Sequence, residues 1–93
     1  MTTTLLDGIF PNGNMNIQNP EQLGNAIRAR RKQLKVTQKE LAMTCGTGLR
    51  FIVDLESGKP TCQIGKILDV IQSLGLGFRI DFPEVDSDRR EKP

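Results

Sequence analysis

The sequence predicts a mainly α-helical domain of four short helices followed by one β-strand. Three observations carry that expectation. Apolar residues recur at spacings of three and four between Leu23 and Leu74, and helix-start and helix-stop residues punctuate the same stretch. Between Leu76 and Phe82 the apolar period changes to two. With 93 residues, four Phe and neither Trp nor Tyr, the chain has room for one small domain with an aliphatic core. Such a core is marginal alone, and self-association is a direct remedy.

Residues 1–18 are rich in Thr, Asn and Gly, with apolar clusters only at Leu5-Leu6 and Ile9-Phe10, and read as a flexible arm. The domain proper is expected over 19–75. Asn19 followed by Pro20 is a helix cap with proline at the first helical position, so a first helix runs from Pro20 to about Leu34. Its apolar stripe is Leu23, Ala26, Ile27 and Leu34, and Arg31 falls on the same line. Thr37 then caps a second helix, and Glu40 three residues later completes a capping box. Leu41, Ala42 and Cys45 form its buried face, and Gly46 and Gly48 relax the backbone where the chain reverses. Leu49, Ile52 and Leu55 make the next apolar face before Gly58 closes the third helix. Glu56 sits four after Ile52, again on the buried side. One inward cation and one inward anion are best explained by each other, because a lone buried charge is expensive. An Arg31–Glu56 ion pair is expected.

Thr61 is expected to cap a fourth helix running through Leu74, with Gly75 as its terminator. Ile64, Ile67, Leu68, Val70, Ile71 and Leu74 cover nearly half its circumference, wider than one neighbouring helix needs. In residues 76–82, Leu76, Phe78, Ile80 and Phe82 alternate with Gly77, Arg79 and Asp81, as in a half-buried strand. A strand needs a pairing partner. Either residues 14–17 pair weakly with it, or a second copy of the chain does so across a twofold axis. The second arrangement also covers the broad face of the fourth helix and is favoured, which makes Leu76, Phe78, Ile80 and Phe82 a dimer interface. Residues 83–93 form a charged tail without apolar anchors and read as flexible.

Two short helices around a tight turn at residues 37–59 make a unit that presents its second helix to a DNA groove. An ordinary helical hairpin shares any one of these features. The combination of capping box, glycine turn and Leu-Glu-Ser-Gly-Lys ending favours the DNA reading. This run resembles the helix-turn-helix of lambda-repressor-like (XRE-type) DNA-binding proteins. Thr37-Gln38 opens the first helix of the motif, Glu40-Leu41-Ala42 follows, Gly46 is the turn and Leu55 to Lys59 ends the recognition helix. The likeness spans about Leu23 to Leu76. Arg50-Phe51, Asp54-Leu55-Glu56, Gly58 to Thr61 and Leu74-Gly75-Leu76 look most like HipB-type antitoxins. That resemblance implies the Arg31–Glu56 pair, the C-terminal strand in place of a fifth helix, and a HipA-like kinase toxin as partner. Two positions depart from the family: Leu49 stands where a polar residue is common, and Gly48 replaces a capping Ser or Thr.

The outward face of the third helix carries Arg50, Val53, Asp54 and Ser57, with Phe51 at its edge and Thr47 in the turn. Arg50 is the natural base reader, since its guanidinium can donate twice to guanine O6 and N7, and a phosphate contact is its alternative. Thr47, Leu49, Phe51 and Val53 are candidates at base edges, where Thr47, Phe51 or Val53 would read a thymine methyl and Phe51 could instead finish the core. Asp54 either accepts from cytosine N4 or pairs with Arg50 four residues earlier. Gln38, in the first turn of the second helix, is placed to donate to a phosphate together with the helix N-terminus. Lys39, Lys59, Thr61 and Arg28 are further phosphate candidates.

The net charge is only +2, yet eight basic residues between positions 20 and 61 face four acids, which concentrates positive charge on the helix-turn-helix half. Two cysteines and no histidine provide neither a disulfide framework nor a zinc site, so no metal and no cofactor are expected. A buried structural thiol is expected at Cys45 and a spectator at Cys62. Without His, a carboxylate pair or a glycine-rich phosphate loop, enzymatic chemistry is the weakest reading. No apolar run would span a membrane and no signal sequence leads the chain, so it is expected in the cytoplasm, on the nucleoid. The expected partners are inverted-repeat operator DNA, a second copy of the chain and a HipA-like toxin. The alternatives are a regulator without a toxin and an interaction module that has lost DNA binding.

Overall fold

The computed structural model describes residues 15–83, and its regular elements are four helices: α1 (Pro20–Gln33), α2 (Gln38–Cys45), α3 (Leu49–Glu56) and α4 (Ile64–Ser73). α3 packs against both α1 and α2, and α2 also packs against α4. The core is a cluster of Ile27, Leu41, Ala42, Ile52, Leu55, Ile67, Val70, Ile71 and Leu74, with Ile27, Ile52 and Val70 fully buried at the centre. Every helix contributes to it. The expected arm (1–18) and tail (83–93) lie almost wholly outside the described residues.

α1 begins as its sequence requires. The Asn19 side chain accepts from the Gln22 backbone N–H at 2.8 Å, and Pro20 occupies a position whose N–H would have no helical partner. The helix stops before Leu34, which is 42% exposed rather than part of the apolar stripe. Lys35 enters the left-handed region with φ 59, and the Val36 N–H returns to the Arg31 carbonyl at 3.2 Å. That closure needs no glycine here, which is why the sequence did not announce it.

α2 carries the full capping box: Glu40 N–H donates to Thr37 Oγ1 at 3.0 Å, and Thr37 N–H donates to the Glu40 carboxylate at 2.8 Å. Gly46 ends it in the left-handed conformation, φ 71, and Thr47 N–H closes onto the Ala42 carbonyl at 2.9 Å. Gly48 is different. Its φ of −79 and ψ of 156 are open to any residue, and it starts α3 without a side-chain cap.

The fourth helix departs from expectation. It starts at Ile64 after Gln63, not after Thr61, and has no side-chain cap. Pro60 and Thr61 are used up in a turn, and Cys62 is drawn onto the core before helical geometry begins. Its end is as expected: Gly75 has φ 73 and Leu76 N–H reaches the Ile71 carbonyl at 3.0 Å. Arg30 Nε also donates to the Leu74 carbonyl at 2.9 Å, tying α1 to the same helix end.

Among the described residues, 76–82 form no strand, so the expected C-terminal strand is not seen there, and residues 15–17 do not pair with them; Met15 carries an isolated bridge, and residue 14 lies outside the described residues. Phe78, Ile80 and Phe82 are all exposed, as are Ile64 and Leu68 on the outer side of α4. Among the described residues the broad apolar face of α4 is thus only half used.

Candidate nucleic-acid interface

A buried ion pair fixes the geometry of the interface. Arg31 Nε donates to Glu56 Oε2 at 2.6 Å and Nη2 to Oε1 at 2.9 Å, a two-point contact between α1 and the end of α3. The two side chains are 9% and 3% exposed. The remaining Arg31 nitrogen, Nη1, donates to the Val36 carbonyl at 2.8 Å, and Gln38 Nε2 donates to Glu56 Oε1 at 3.1 Å. The network therefore joins α1, the α1–α2 connection, the first turn of α2 and α3. Its Glu56 hydrogen bonds, opposed by burial and aided by the carboxylate charge, push the Arg31 pKa further up, so the guanidinium stays charged.

Beside this network lies an open groove of about 480 Å3, lined by Arg28, Arg31, Val36, Thr37, Gln38, Val53, Glu56 and Ser57. It joins the start of α2 to the outward face of α3. Arg28 is exposed at its edge, and Val53 is half-buried on its wall. Gln38 is half-buried, with its amide turned to Glu56, so the groove is built in part from the same contacts that brace the helices. Lys39 is exposed on the next position of α2.

At the other end of the α3 face, Arg50 is exposed and its Nε lies 3.3 Å from Asp54 Oδ1. Lys59 Nζ approaches the other oxygen of Asp54 at 3.5 Å. Leu49 is 46% exposed, so it belongs to the outer surface at the start of α3 rather than to the buried face. Thr47 is half-buried in the turn with its hydroxyl donating to the Gly48 carbonyl at 3.2 Å. Phe51 packs on the core, and Lys66 Nζ of α4 stands 5.6 Å from its ring centroid, which directs it to α4. Thr61 is exposed in the turn beyond α3 and lines no part of the groove.

The structure thus brings Arg28, Gln38 and Val53 together in one groove and Arg50, Asp54 and Lys59 together at its flank. Two contributions escaped the sequence reading. Thr37 lines the groove as well as capping α2, and Gly24 lets α1 approach the end of α3. A glycine in the middle of an otherwise regular helix was the available signal for the second. Cys45 is half-buried against the core. Cys62 lines an apolar cavity of about 210 Å3 with Ile17, Leu23, Leu55 and Ile67. Burial first, then the Asp54 charge, pushes the Cys62 thiol pKa up against the opposing effect of Lys59, so it is not an activated nucleophile.

A helix-turn-helix family profile matches residues 27–79, more than half of the chain. An uncharacterised HTH-type transcriptional regulator, y4mF, of Sinorhizobium fredii is 52% identical over 67 residues, covering 72% of this chain and 88% of that protein. Among solved structures, a HipB–O4 20mer complex superposes with a TM-score of 0.69 at 28% identity, covering 76% of this chain and 100% of that one. A HipA–HipB–O2–O3 complex matches at the same TM-score, identity and coverage. The chain belongs to the XRE-type helix-turn-helix family of DNA-binding transcriptional regulators, which are not enzymes, and its fold is that of HipB.

Proposed function

We propose that this regulator is the antitoxin of a toxin–antitoxin operon: a homodimer that represses its own operon at an inverted-repeat operator and neutralises a HipA-like kinase toxin. The observation that carries the reading is the likeness to HipB over three quarters of the chain, where one matching structure also contains HipA. The dimer is supported by apolar side chains left exposed among the described residues: Ile64 and Leu68 of α4 and Phe78, Ile80 and Phe82 beyond it. Pairing of residues 76–82 with their copies would satisfy the backbone and cover those side chains together.

On DNA, Arg50 is the base reader, with Leu49, Val53 and Thr47 beside it, and Phe51 and Asp54 in supporting positions. Arg28, Gln38, Lys39, Lys59 and Thr61 serve the phosphates. The domain comprises residues 19–75, the dimer strand 76–82, and residues 1–18 and 83–93 are the parts left for toxin contact or proteolysis. No described helix is long and apolar enough to cross a membrane. The protein works in the cytoplasm, on the nucleoid.

Binding titrations at several salt concentrations, against a selected operator and its single-base variants, test the repressor half. Arg50→Ala should relax discrimination at one position per half-site, while Lys59→Ala should weaken all sequences alike and flatten the salt dependence. Equal affinity for operator and random duplex would sink it. The antitoxin half is tested by co-expression with the product of the neighbouring gene: pull-down and relief of growth arrest are expected. A neighbour that is not kinase-like, or that is neither bound nor neutralised, leaves a regulator without a toxin.

A further inference from the structure

Asp54 is the residue whose surroundings the family assignment leaves unexplained. A carboxylate on the recognition helix should repel DNA phosphates. Here it is mostly covered, at 18% exposure, and each oxygen faces a different cation: Arg50 Nε at 3.3 Å from Oδ1 and Lys59 Nζ at 3.5 Å from Oδ2. Arg50 itself is 83% exposed. An exposed pair at this spacing does little for stability. Its geometry has another consequence. The guanidinium carries its donors in a planar fork, and an ion pair whose nearest atom is Nε leaves both terminal nitrogens at the far end. Among the described residues the Arg50 guanidinium completes no hydrogen bond, to Asp54 or to any other acceptor, so charge attraction alone holds it there. Guanine offers O6 and N7 as a matching pair of acceptors.

We propose that Asp54 is a positioning residue for base reading: its charge draws Arg50 in at the Nε end so that the two terminal nitrogens are presented to a guanine, while Lys59 offsets the acid beside the DNA backbone. The proposal rests on Arg50 being the base reader. Without that attraction, Arg50 must lose its side-chain freedom at the moment of binding and is equally free to settle on a phosphate. Losing Asp54 should therefore lower discrimination while leaving, or raising, affinity for random DNA.

The test uses the full chain and a selected operator in which the Arg50 base pair is located as the one whose replacement harms the parent but not Arg50→Ala. Asp54→Ala should lose about three- to tenfold discrimination at that base pair and bind random duplex at least as tightly as the parent. In the Arg50→Ala background it should change nothing there. Asp54→Glu keeps the carboxylate charge opposite Arg50 and should retain more discrimination than Asp54→Ala; thermal melts of both variants establish that they are folded. Discrimination unchanged in Asp54→Ala, lost equally at every base pair, equally low in both variants, or lost again when Arg50 is absent would each overturn the proposal. A parent that binds operator and random duplex alike removes the reading beneath it, which is a separate and recognisable failure.

Discussion

Gly24 in α1 faces the carbonyl oxygen of Leu55 in α3 so closely that a Cβ at position 24 would lie 2.5 Å from it. The Glu56 carbonyl oxygen would be 2.7 Å away, and both obstacles are backbone, which cannot rotate aside. Glycine ordinarily weakens a helix interior by about 1 kcal/mol relative to alanine. Here the close approach outweighs that. Gly24→Ala should destabilise the domain by about 1 to 3 kcal/mol despite the better helix former. Denaturant midpoints measure it, and an unchanged or raised midpoint would mean that α1 can slide without cost.

The same two helices are joined by Arg31 and Glu56. Removing either partner alone leaves a buried charge and should cost about 3 to 5 kcal/mol, a large share of the roughly 5 to 15 kcal/mol that a folded domain has. The double variant Arg31→Ala with Glu56→Ala should lose less than the two single losses combined. Additive losses in thermal melts would show that the pair is not coupled. The sign of the pH effect follows from the raised Arg31 pKa: its contribution is complete below the ordinary arginine value and is lost only as pH rises through the still higher folded one. Moderate alkali should leave this contact intact.

Gly48 starts α3 in an extended conformation, and a Cβ added there meets nothing within 4 Å. Gly48→Ser should therefore supply the missing cap and restrict the unfolded chain, raising stability by about 0.5 to 1 kcal/mol. A lowered melting temperature would contradict the open geometry.

Cys62 offers a pH-dependent signal. Its raised pKa makes the protonated thiol the favoured form in the fold, so this stabilisation holds below the unfolded pKa and fades as pH rises through the folded one. Alkylation of Cys62 in the Cys45→Ala variant should show a midpoint above the ordinary thiol value of about 8.5. A midpoint below it would place the thiol in a different environment.

Ile80→Pro tests the dimer without touching the DNA face. It removes a backbone donor from the 76–82 segment and should shift sedimentation toward monomer. An unchanged dimer in that variant would move the interface elsewhere, and a monomeric parent at micromolar concentration would remove the dimer altogether.

Local signals carried the helix starts of α1 and α2, since Asn19-Pro20 and the Thr37–Glu40 box act through neighbours in sequence. The inward Arg31 and Glu56 were legible because a helical face shows its exceptions. Thr61 misled because capping residues are common in turns, and the pull of Cys62 onto the core is a tertiary effect. Leu34 followed the stripe of α1 but fell past a stop made by Lys35, a residue that seldom adopts positive φ. At the interface, Arg50 and Asp54 could be placed on one side by their spacing of four, whereas the approach of Lys59 to Asp54 depends on the turn after α3. The turning of Phe51 toward Lys66 and of Gln38 toward Glu56 depends on helices distant in sequence.

The hydrogen bond from Arg30 to the Leu74 carbonyl has a mechanical consequence. It ties the last turn of α4 to the helix that also holds α3, so the point from which residues 76–82 depart is coupled to the recognition helix. In a dimer joined through those residues, the span between the two recognition helices is set by a chain of stiff parts rather than by a hinge. A dimer of the proposed kind would then act as a caliper: it would accept one half-site spacing and reject operators longer or shorter by a base pair, and cutting Arg30 loose would widen that tolerance before it weakened the grip on any single half-site.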